Sequence, residues 1–291
     1  MTELISSNFI GCGKLGKTIA YLLVKNNLIQ IPNIYCRTLK SCQNAIQFIG
    51  QGEICLDLNL LKPADIYFIC TPDDVIEKIC KQLIEVHKPN KNAIFVHFSG
   101  LLTSDILKSA RDCGYHIGSL HPIKSFALPQ ENIKNFEGTF CAFEGAVYTF
   151  KLIENMFQKI GANIFTLQKE YKPLYHAAAV FSSNYLITLA NIAKQCFEQA
   201  GVSGEIAKNI IVSLMQGTLN NLGKVNHISD ALTGPLQRGD INSIEAHIDA
   251  LNFNSNFKDA YGGLGKLTLE MTEHKPELKL VISKLLEKTE L

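Results

Sequence analysis

The sequence lacks an excess of charge of either sign. Its 291 residues contain 28 Lys and Arg against 27 Asp and Glu, which gives a formal net charge of +1. Proteins that bind nucleic acid usually carry a basic surplus or stripe, so a nucleic-acid partner is not expected. The hydrophobic fraction of 46% also excludes a mainly disordered chain, which needs low hydrophobicity and high net charge.

Paired cysteines are missing as well. The nine cysteines form no C-x-x-C pair, and their number is odd. A zinc site or a disulfide framework is therefore not expected, and no cluster of His, Cys or acidic residues has the spacing of a metal site. Scattered single cysteines are typical of small buried side chains in a reducing compartment, which predicts a cytoplasmic protein.

Targeting and membrane signals are also scarce. Residues 1–5 show no basic segment followed by an apolar one, so no signal peptide is expected. The segment from Pro173 to Ala193 has no Asp, Glu, Lys or Arg, but it contains His176, Ser183 and Asn184. Because such side chains are costly in lipid, we expect one long, mostly buried helix here and no membrane partner.

Short apolar segments alternate with helical periodicity in the first part of the chain. This pattern predicts an α/β fold with a Rossmann-type doubly wound parallel sheet covered on both faces. The predicted strands are residues 8–10, 33–36, 65–70, 93–98, 115–120 and 139–143, and the predicted helices are residues 14–25, 103–113 and 148–160.

Strand signals stop near residue 168, and long helical periods follow. We expect a nucleotide-binding domain over residues 1–168 and an all-helical domain over residues 169–291, used for substrate binding and dimerisation. The predicted helices of the second domain are residues 173–200, 203–221, 241–251, 257–273 and 277–288. The long apolar helix needs a cover, so a homodimer is expected, although the remaining helices could also provide that cover.

The first predicted strand runs into a glycine-rich turn. Gly11-Cys12-Gly13-Lys14-Leu15-Gly16 is a G-x-G-x-x-G motif between a strand and a helix. Such a turn lets a pyrophosphate approach the backbone and the amino end of the helix. The motif in this context predicts a dinucleotide site rather than a plain strand-to-helix turn.

The residues at the end of the second strand distinguish between NAD(H) and NADP(H) as the cofactor. NAD-specific sites place an Asp or Glu there, at the ribose 2′-hydroxyl. This sequence has Arg37 and Thr38 instead, which are suited to holding a 2′-phosphate by charge-assisted hydrogen bonds. We therefore expect NADP(H), the alternative being that Arg37 is an ordinary solvated arginine.

Polar residues follow the later strands, at the edge of the sheet where ligands of such folds bind. We expect Thr71 and Pro72 to border the cofactor, with the next two acids capping a helix. Ser99 is a candidate cofactor contact. His121 and Ser125 are candidate substrate contacts, although such residues also occur as satisfied structural groups.

Several motifs together resemble a known family. They are His97-Phe98-Ser99-Gly100, His121-Pro122, Tyr175-His176-Ala177-Ala178 with Ser183-Asn184, and Thr233-Gly234-Pro235 with Arg238-Gly239-Asp240. With the glycine turn and the helical second half, the chain resembles the 6-phosphogluconate-dehydrogenase-like superfamily, which includes pyrroline-5-carboxylate reductase and ketopantoate reductase. It resembles more closely a family of Rossmann-like oxidoreductases, some of which are divergent ketopantoate reductases of pantothenate biosynthesis.

This resemblance implies a catalytic role for Lys172. Classical ketopantoate reductases have a lysine general acid and an asparagine four residues later at the start of the interdomain helix. Here His176 replaces that asparagine, and Asn184 is expected to supply the amide. Because Lys172 precedes a proline, we expect extended geometry at the helix entrance, where the helix dipole lowers its pKa. The alternative is an ordinary exposed lysine.

The remaining candidates concern the substrate. His176, Val180, Asn184 and Ile187 share one face of the predicted helix, as a cleft wall or as satisfied buried polar groups. Arg238 could hold a substrate carboxylate or simply pair with Asp240. The sequence thus predicts an NADPH-dependent reductase of a small keto acid, ketopantoate first. The alternatives are an imine reductase of the pyrroline-5-carboxylate type and an NADPH-binding sensor without turnover.

Overall fold

A computed structural model describes residues 4–289, and over that range it contains nine strands and thirteen α-helices. The strands are β1 (Ile5–Ile10), β2 (Ile29–Gln30), β3 (Asn33–Tyr35), β4 (Glu53–Cys55), β5 (Ile66–Ile69), β6 (Ile94–His97), β7 (His116–Pro122), β8 (Phe140–Gly145) and β9 (Asn163–Thr166). The helices are α1 (Lys14–Lys25), α2 (Leu39–Ile49), α3 (Asp73–Val86), α4 (Lys108–Asp112), α5 (Pro129–Asn132), α6 (Val147–Lys159), α7 (Lys172–Ser182), α8 (Asn184–Gln199), α9 (Gly204–Leu222), α10 (Pro235–Arg238), α11 (Ile241–Ala250), α12 (Ser255–Glu270) and α13 (Pro276–Glu287).

The strands form one sheet in the order β4-β3-β1-β5-β6-β7-β8-β9, with β2 paired to β1. The pairs from β4 to β7 are parallel, which confirms the predicted Rossmann-type fold. One pair departs from this parallel pattern, because β8 runs antiparallel to β7. The connection from Pro122 to Phe140 joins the end of β7 to the start of β8 without crossing the sheet, so β8 runs in the opposite direction.

Two hydrophobic cores cover the two faces of the sheet. Phe68 packs into a cluster with side chains of α1, α2 and α6. Its neighbours Tyr67 and Ile69 point the other way, into a cluster with side chains of α3 and α4. Successive residues of a strand face opposite sides, so a strand buried on both faces reads as one continuous apolar run.

The chain divides into two compact units after Asn184. All strands and α1–α7 belong to the first unit. The proposed boundary at residue 168 follows the end of β9, and α7 beyond it still belongs to the first unit. In the second unit, a Cβ atom on Gly265 would lie 2.7 Å from Leu286 Cδ2, so glycine allows α12 and α13 to pack closely.

The prediction of one continuous helix over residues 173–200 is wrong. Helix α7 ends at Ser182 and α8 begins at Asn184, with Ser183 at φ −132 and ψ −65 between them. The hydroxyls of Ser182 and Ser183 donate to the carbonyls of Ala178 and Ala179, at 2.9 and 2.7 Å. Such bonds to the preceding turn bend helices.

The expected burial of this segment is also not found, because α8 contains no buried residue. Within residues 4–289, none of the helices combines the length and the apolar character that a membrane span requires.

Candidate active site

The glycine turn between β1 and α1 has the geometry that the sequence predicts for it. Gly11 has φ +78, and a Cβ atom there would lie 2.9 Å from Thr71 Cγ2. A Cβ on Gly16 would lie 3.1 Å from the Gly11 carbonyl oxygen, so this glycine lets the helix pack against the strand. A Cβ on Gly13 would have no heavy atom within 4 Å, so the space above this residue is open.

The other residues of the glycine turn present mainly backbone groups to the space above it. Cys12 is buried, and burial raises the pKa of its thiol, so its side chain is a packing group. Lys14 is exposed and Leu15 half-buried at the start of α1, where the first N–H groups of a helix have no partner within it. The strand order reverses at β1, and ligands of open α/β sheets bind at such a point.

The hydroxyl of Thr71 is an unsatisfied group beside this turn. Its Oγ1 is buried and has no hydrogen-bond partner among the described residues. Leaving a buried polar group unpaired costs about 1–3 kcal/mol, so a ligand group that bonds to it would be stabilising. Pro72 follows, exposed, at the amino end of α3.

Arg37 lies just beyond the end of β3 and is exposed. Its guanidinium forms no ion pair with any residue in the range 4–289. Thr38 caps α2, because its Oγ1 accepts a hydrogen bond from the Ser41 N–H at 3.3 Å. A charged donor therefore stands beside the amino end of a helix, an arrangement that suits a phosphate group.

A row of polar side chains crosses three neighbouring strands. His97 on β6 pairs with Ser119 on β7, and Ser119 pairs with Glu144 on β8. Paired residues of neighbouring strands point to the same face, and all three side chains are buried. Sequence reasoning missed Ser119 and Glu144, because strand register is not visible in the sequence.

Lys172 lies against this row. Its side chain is only 3% exposed, and its Nζ donates to the Ser99 carbonyl oxygen at 3.0 Å and to Ser119 Oγ at 2.5 Å. Glu144 Oε1 lies 3.9 Å from the same nitrogen. Burial lowers the pKa of Lys172 to about 8, although the carboxylates of Glu144 and Asp73 act in the opposite direction.

Three expectations about Lys172 are corrected by the structure. The residue is helical, with φ −54 and ψ −41, because a 3₁₀ turn at Lys169–Tyr171 leads directly into α7. The alternative of an ordinary exposed lysine is also wrong. Burial, rather than the helix end, is the main cause of the lowered pKa.

Ser99 organises the loop after β6. Its hydroxyl donates to Asp73 Oδ2 at 2.6 Å and accepts from the N–H groups of Leu101 and Leu102. Its carbonyl oxygen faces Lys172. The expected helix cap by Asp73 is not formed, because this carboxylate binds the loop instead.

Two imidazole rings meet at Gly100. A Cβ atom on this residue would lie 2.6 Å from His176 Nδ1 and 2.9 Å from His121 Nε2, so only glycine leaves room for both rings. His121 Nδ1 is 2.7 Å from the Tyr175 hydroxyl oxygen. Burial, together with His176 and Lys172, lowers the pKa of His121 to about 4.

His176 lies one helical turn after Lys172, so the two side chains share a face of α7. Its Nδ1 is buried without a hydrogen-bond partner among the described residues. The predicted face that continued from His176 to Asn184 and Ile187 is interrupted by the break at Ser183. Asn184 begins α8, with its Oδ1 2.9 Å from Ser183 Oγ.

The other two candidates, Ser125 and Arg238, lie in a loop and at the end of the short helix α10. Ser125 is exposed on the loop after β7. Arg238 lies in the second unit, with its Nη2 3.8 Å from Asp240 Oδ2. The described part of the chain contains no group of three or more His, Cys, Asp or Glu side chains that could hold a metal ion.

Comparison with known proteins supports the fold of the chain but does not identify its substrate. Residues 139–268 match a family described as a domain of unknown function, DUF2520. None of the proteins with a curated function matches the chain.

Solved structures match over most of the chain. A candidate NADP oxidoreductase from Bacteroides fragilis has a TM-score of 0.76 at 20% identity, covering 92% of this chain and 98% of its own. A Thermotoga maritima protein without a functional name has a TM-score of 0.73 at 25% identity, with the same coverage. A Plasmodium falciparum pyrroline carboxylate reductase, solved with NADP bound, has a TM-score of 0.60 at 14% identity, again with 92% and 98% coverage. The chain therefore has the fold of NADP oxidoreductases of this kind.

Proposed function

We propose that this chain is an NADPH-dependent reductase of a small keto acid, with ketopantoate (2-dehydropantoate) reduced to pantoate as the first candidate reaction. The observation that carries the proposal is the buried amine of Lys172, held by Ser99 and Ser119 at the ligand-binding edge of a Rossmann-type sheet. An acid is needed there because hydride transfer to a ketone builds negative charge on the carbonyl oxygen.

The residues at the glycine turn fit the cofactor. The open space above Gly13 accepts a pyrophosphate, and the orphaned hydroxyl of Thr71 lies beside the turn. Arg37 supplies the charge that a 2′-phosphate requires. When bound, NADPH supplies the hydride; proton transfer and substrate orientation are left to the side chains of the chain itself.

Lys172 is the proton donor in this proposal. Near pH 7 its amine carries a proton, because its pKa is about 8. The nearby His121 is neutral at the same pH, because its pKa is about 4. An uncharged imidazole can orient a substrate by hydrogen bonding, but it is a poor acid. The ammonium of Lys172 both stabilises the developing oxyanion and delivers its proton.

The substrate carboxylate and hydroxyl groups need separate partners. His121 and His176 place ring nitrogens around Gly100, and the buried Nδ1 of His176 has no hydrogen-bond partner among the described residues. Ser125, Asn184 and Arg238 remain proposed substrate contacts. The expected homodimer also stays a prediction, which the exposed apolar side chains of α8, such as Ile187, support.

The test is NADPH oxidation by the purified chain with ketopantoate, pyrroline-5-carboxylate and a series of other 2-keto acids. Turnover of ketopantoate well above the rest is the expected result. Preferred turnover of pyrroline-5-carboxylate would replace the keto acid by an imine, for which Lys172 should matter less. Tight NADPH binding without turnover of any compound would contradict the reductase and favour a sensor.

A further inference from the structure

Glu144 is a buried carboxylate at the end of β8 that the proposed chemistry does not yet use. Its residue is 7% exposed. The N–H of Ser104 donates to its Oε1 at 2.5 Å, and the Ser104 hydroxyl donates to its Oε2 at 2.8 Å. One residue therefore binds both oxygens, which fixes the orientation of the carboxylate.

The other groups that face Lys172 do not provide a second close negative charge. Asp73 of α3 acts on the Lys172 amine electrostatically, but its Oδ2 accepts a bond from Ser99. His97 of β6 and His121 of β7 have pKa values of about 3 and 4, so both are neutral near pH 7. His176, on the same helix as Lys172, is the remaining titratable neighbour.

An ammonium without a nearby anion is unstable at this depth. The side chains of Lys172 and Glu144 are only 3% and 6% exposed, and 3.9 Å separates Nζ from Oε1. Removing one member of such a pair leaves an uncompensated buried charge, which either destabilises the fold or is neutralised by loss of the proton. The distance exceeds that of a direct hydrogen bond, so the interaction is electrostatic.

We propose that Glu144 is a positioning residue, held by Ser104, that keeps Lys172 protonated and in place at the reaction site. This proposal rests on the proposed reductase function, in which the positive charge of Lys172 serves the reaction. Glu144 itself touches no reacting atom. It acts through Lys172.

Glu144 also lines a cleft of about 590 Å³ in the first unit. Ser104 lies in the same wall, and Asp105, Arg111 and Lys169 contribute an ion-paired group. We therefore expect a small solute to reach the position of the carboxylate from this cleft. A small anion from solution could then take the place of the carboxylate in a variant that lacks the Glu144 side chain.

The first experiment measures the titration of Lys172 in the ligand-free protein, by the pH dependence of its modification with an amine reagent. Glu144→Gln keeps the shape and an acceptor for the Ser104 N–H but removes the charge. We expect the pKa of Lys172 to fall by about 1–3 units in this variant. Glu144→Asp, which keeps the charge, should stay closer to the wild-type value. The surface variant Glu131→Gln is the control and should leave the titration unchanged.

The second experiment uses Glu144→Ala with and without formate. Formate entering from the cleft should bind Ser104 and restore the pKa of Lys172 in a saturable manner, whereas formamide, which has no charge, should not. A purely structural role for Glu144 predicts equal effects of the two solutes. Circular dichroism of each variant shows that the comparison is made on folded protein.

The outcomes separate this proposal from the proposed function. An unchanged Lys172 titration in Glu144→Gln, or no restoration of Glu144→Ala by formate, would overturn the role of Glu144 whatever the substrate is. A lowered Lys172 pKa supports the role even in a protein that reduces none of the tested compounds. In an active enzyme, the upper pH limit of kcat should move down together with the Lys172 titration, with the KM for NADPH unchanged.

Discussion

Lys172 Nζ and Ser119 Oγ are joined by a 2.5 Å hydrogen bond, and Ser119 is the strand neighbour of both His97 and Glu144. The bond links the first residue of α7 to the middle of β7. The position of the proposed acid is therefore set by strand register, and not by a flexible side chain reaching from a surface loop.

Replacement of Lys172 should affect turnover far more than cofactor binding. Lys172→Met keeps the apolar stem and removes the amine. We expect kcat to fall by about 10²–10⁴, the usual contribution of a positioned acid, because the oxyanion loses both its charge partner and its proton source. NADPH affinity, measured by fluorescence titration, should stay near the wild-type value. Lys169→Met, in the same segment, is the control; a similar loss there would argue against a specific role for Lys172.

The pH profile of the reduction should follow the ammonium form of Lys172. Its pKa of about 8 means that the donor is protonated below this pH and neutral above it. We expect kcat to be level near pH 7 and to fall about tenfold per unit as the pH rises beyond 8. Initial rates in buffers of constant ionic strength test this. A profile that instead rises with pH over the same range would identify a base rather than an acid.

Arg37 should determine the preference between the two reduced cofactors. Arg37→Asp replaces the proposed partner of the 2′-phosphate by a repelling charge and should weaken NADPH binding much more than NADH binding. Calorimetric titration of both cofactors gives the ratio. Lys88→Asp, a charge reversal at another exposed position, should change neither affinity. Equal losses for NADPH and NADH in Arg37→Asp would contradict the cofactor assignment.

The glycines of the turn should separate binding from folding. Gly13→Ala places its methyl group in open space, so the free energy of unfolding should change little while NADPH affinity falls sharply. Gly16→Ala places a methyl 3.1 Å from the Gly11 carbonyl oxygen and should destabilise the chain by about 1–3 kcal/mol. Urea unfolding and cofactor titration of both variants measure these effects. A destabilised Gly13→Ala with normal affinity would show that the open space is not the cofactor site.

The buried His97 should make the fold sensitive to acid. Its Nδ1 accepts from the Ser99 N–H and its Nε2 lies 3.1 Å from the Thr103 carbonyl oxygen, a pattern that suits the neutral ring. The pKa in the folded state is about 3, below the ordinary 6.5, mainly because of burial. The unfolded chain therefore binds a proton that the folded chain refuses as the pH falls from about 6.5 toward 3.

The corresponding loss in the free energy of unfolding is about 1.4 kcal/mol per pH unit for this one group. Urea unfolding at pH 7.5, 6 and 5 measures it. His97→Gln keeps a donor and an acceptor but cannot titrate, so its stability should depend less on pH. The same slope in the wild type and in His97→Gln would show that other groups control the acid response.

The alternation of strands and helices and the glycine turn could be predicted from the sequence because they rest on local patterns. Apolar runs, helical periodicity and the spacing of Gly11, Gly13 and Gly16 identified the fold and the strand-to-helix turn. The change in direction at β8 could not be predicted, because an apolar strand looks the same whichever way it runs.

The sequence by itself determined the alternation of strands and helices, where the glycine turn lies and which charge, Arg37, stands at the end of β3. Tertiary structure alone decided that Lys172 is buried, that Ser119 and Glu144 meet it, and that two histidine rings pack on Gly100. The physical reason is range: helix and strand periodicity act between residues close in the chain. The Lys172 site instead joins strands and a helix that are far apart in sequence, and only the sheet register and the packing of α7 bring them together.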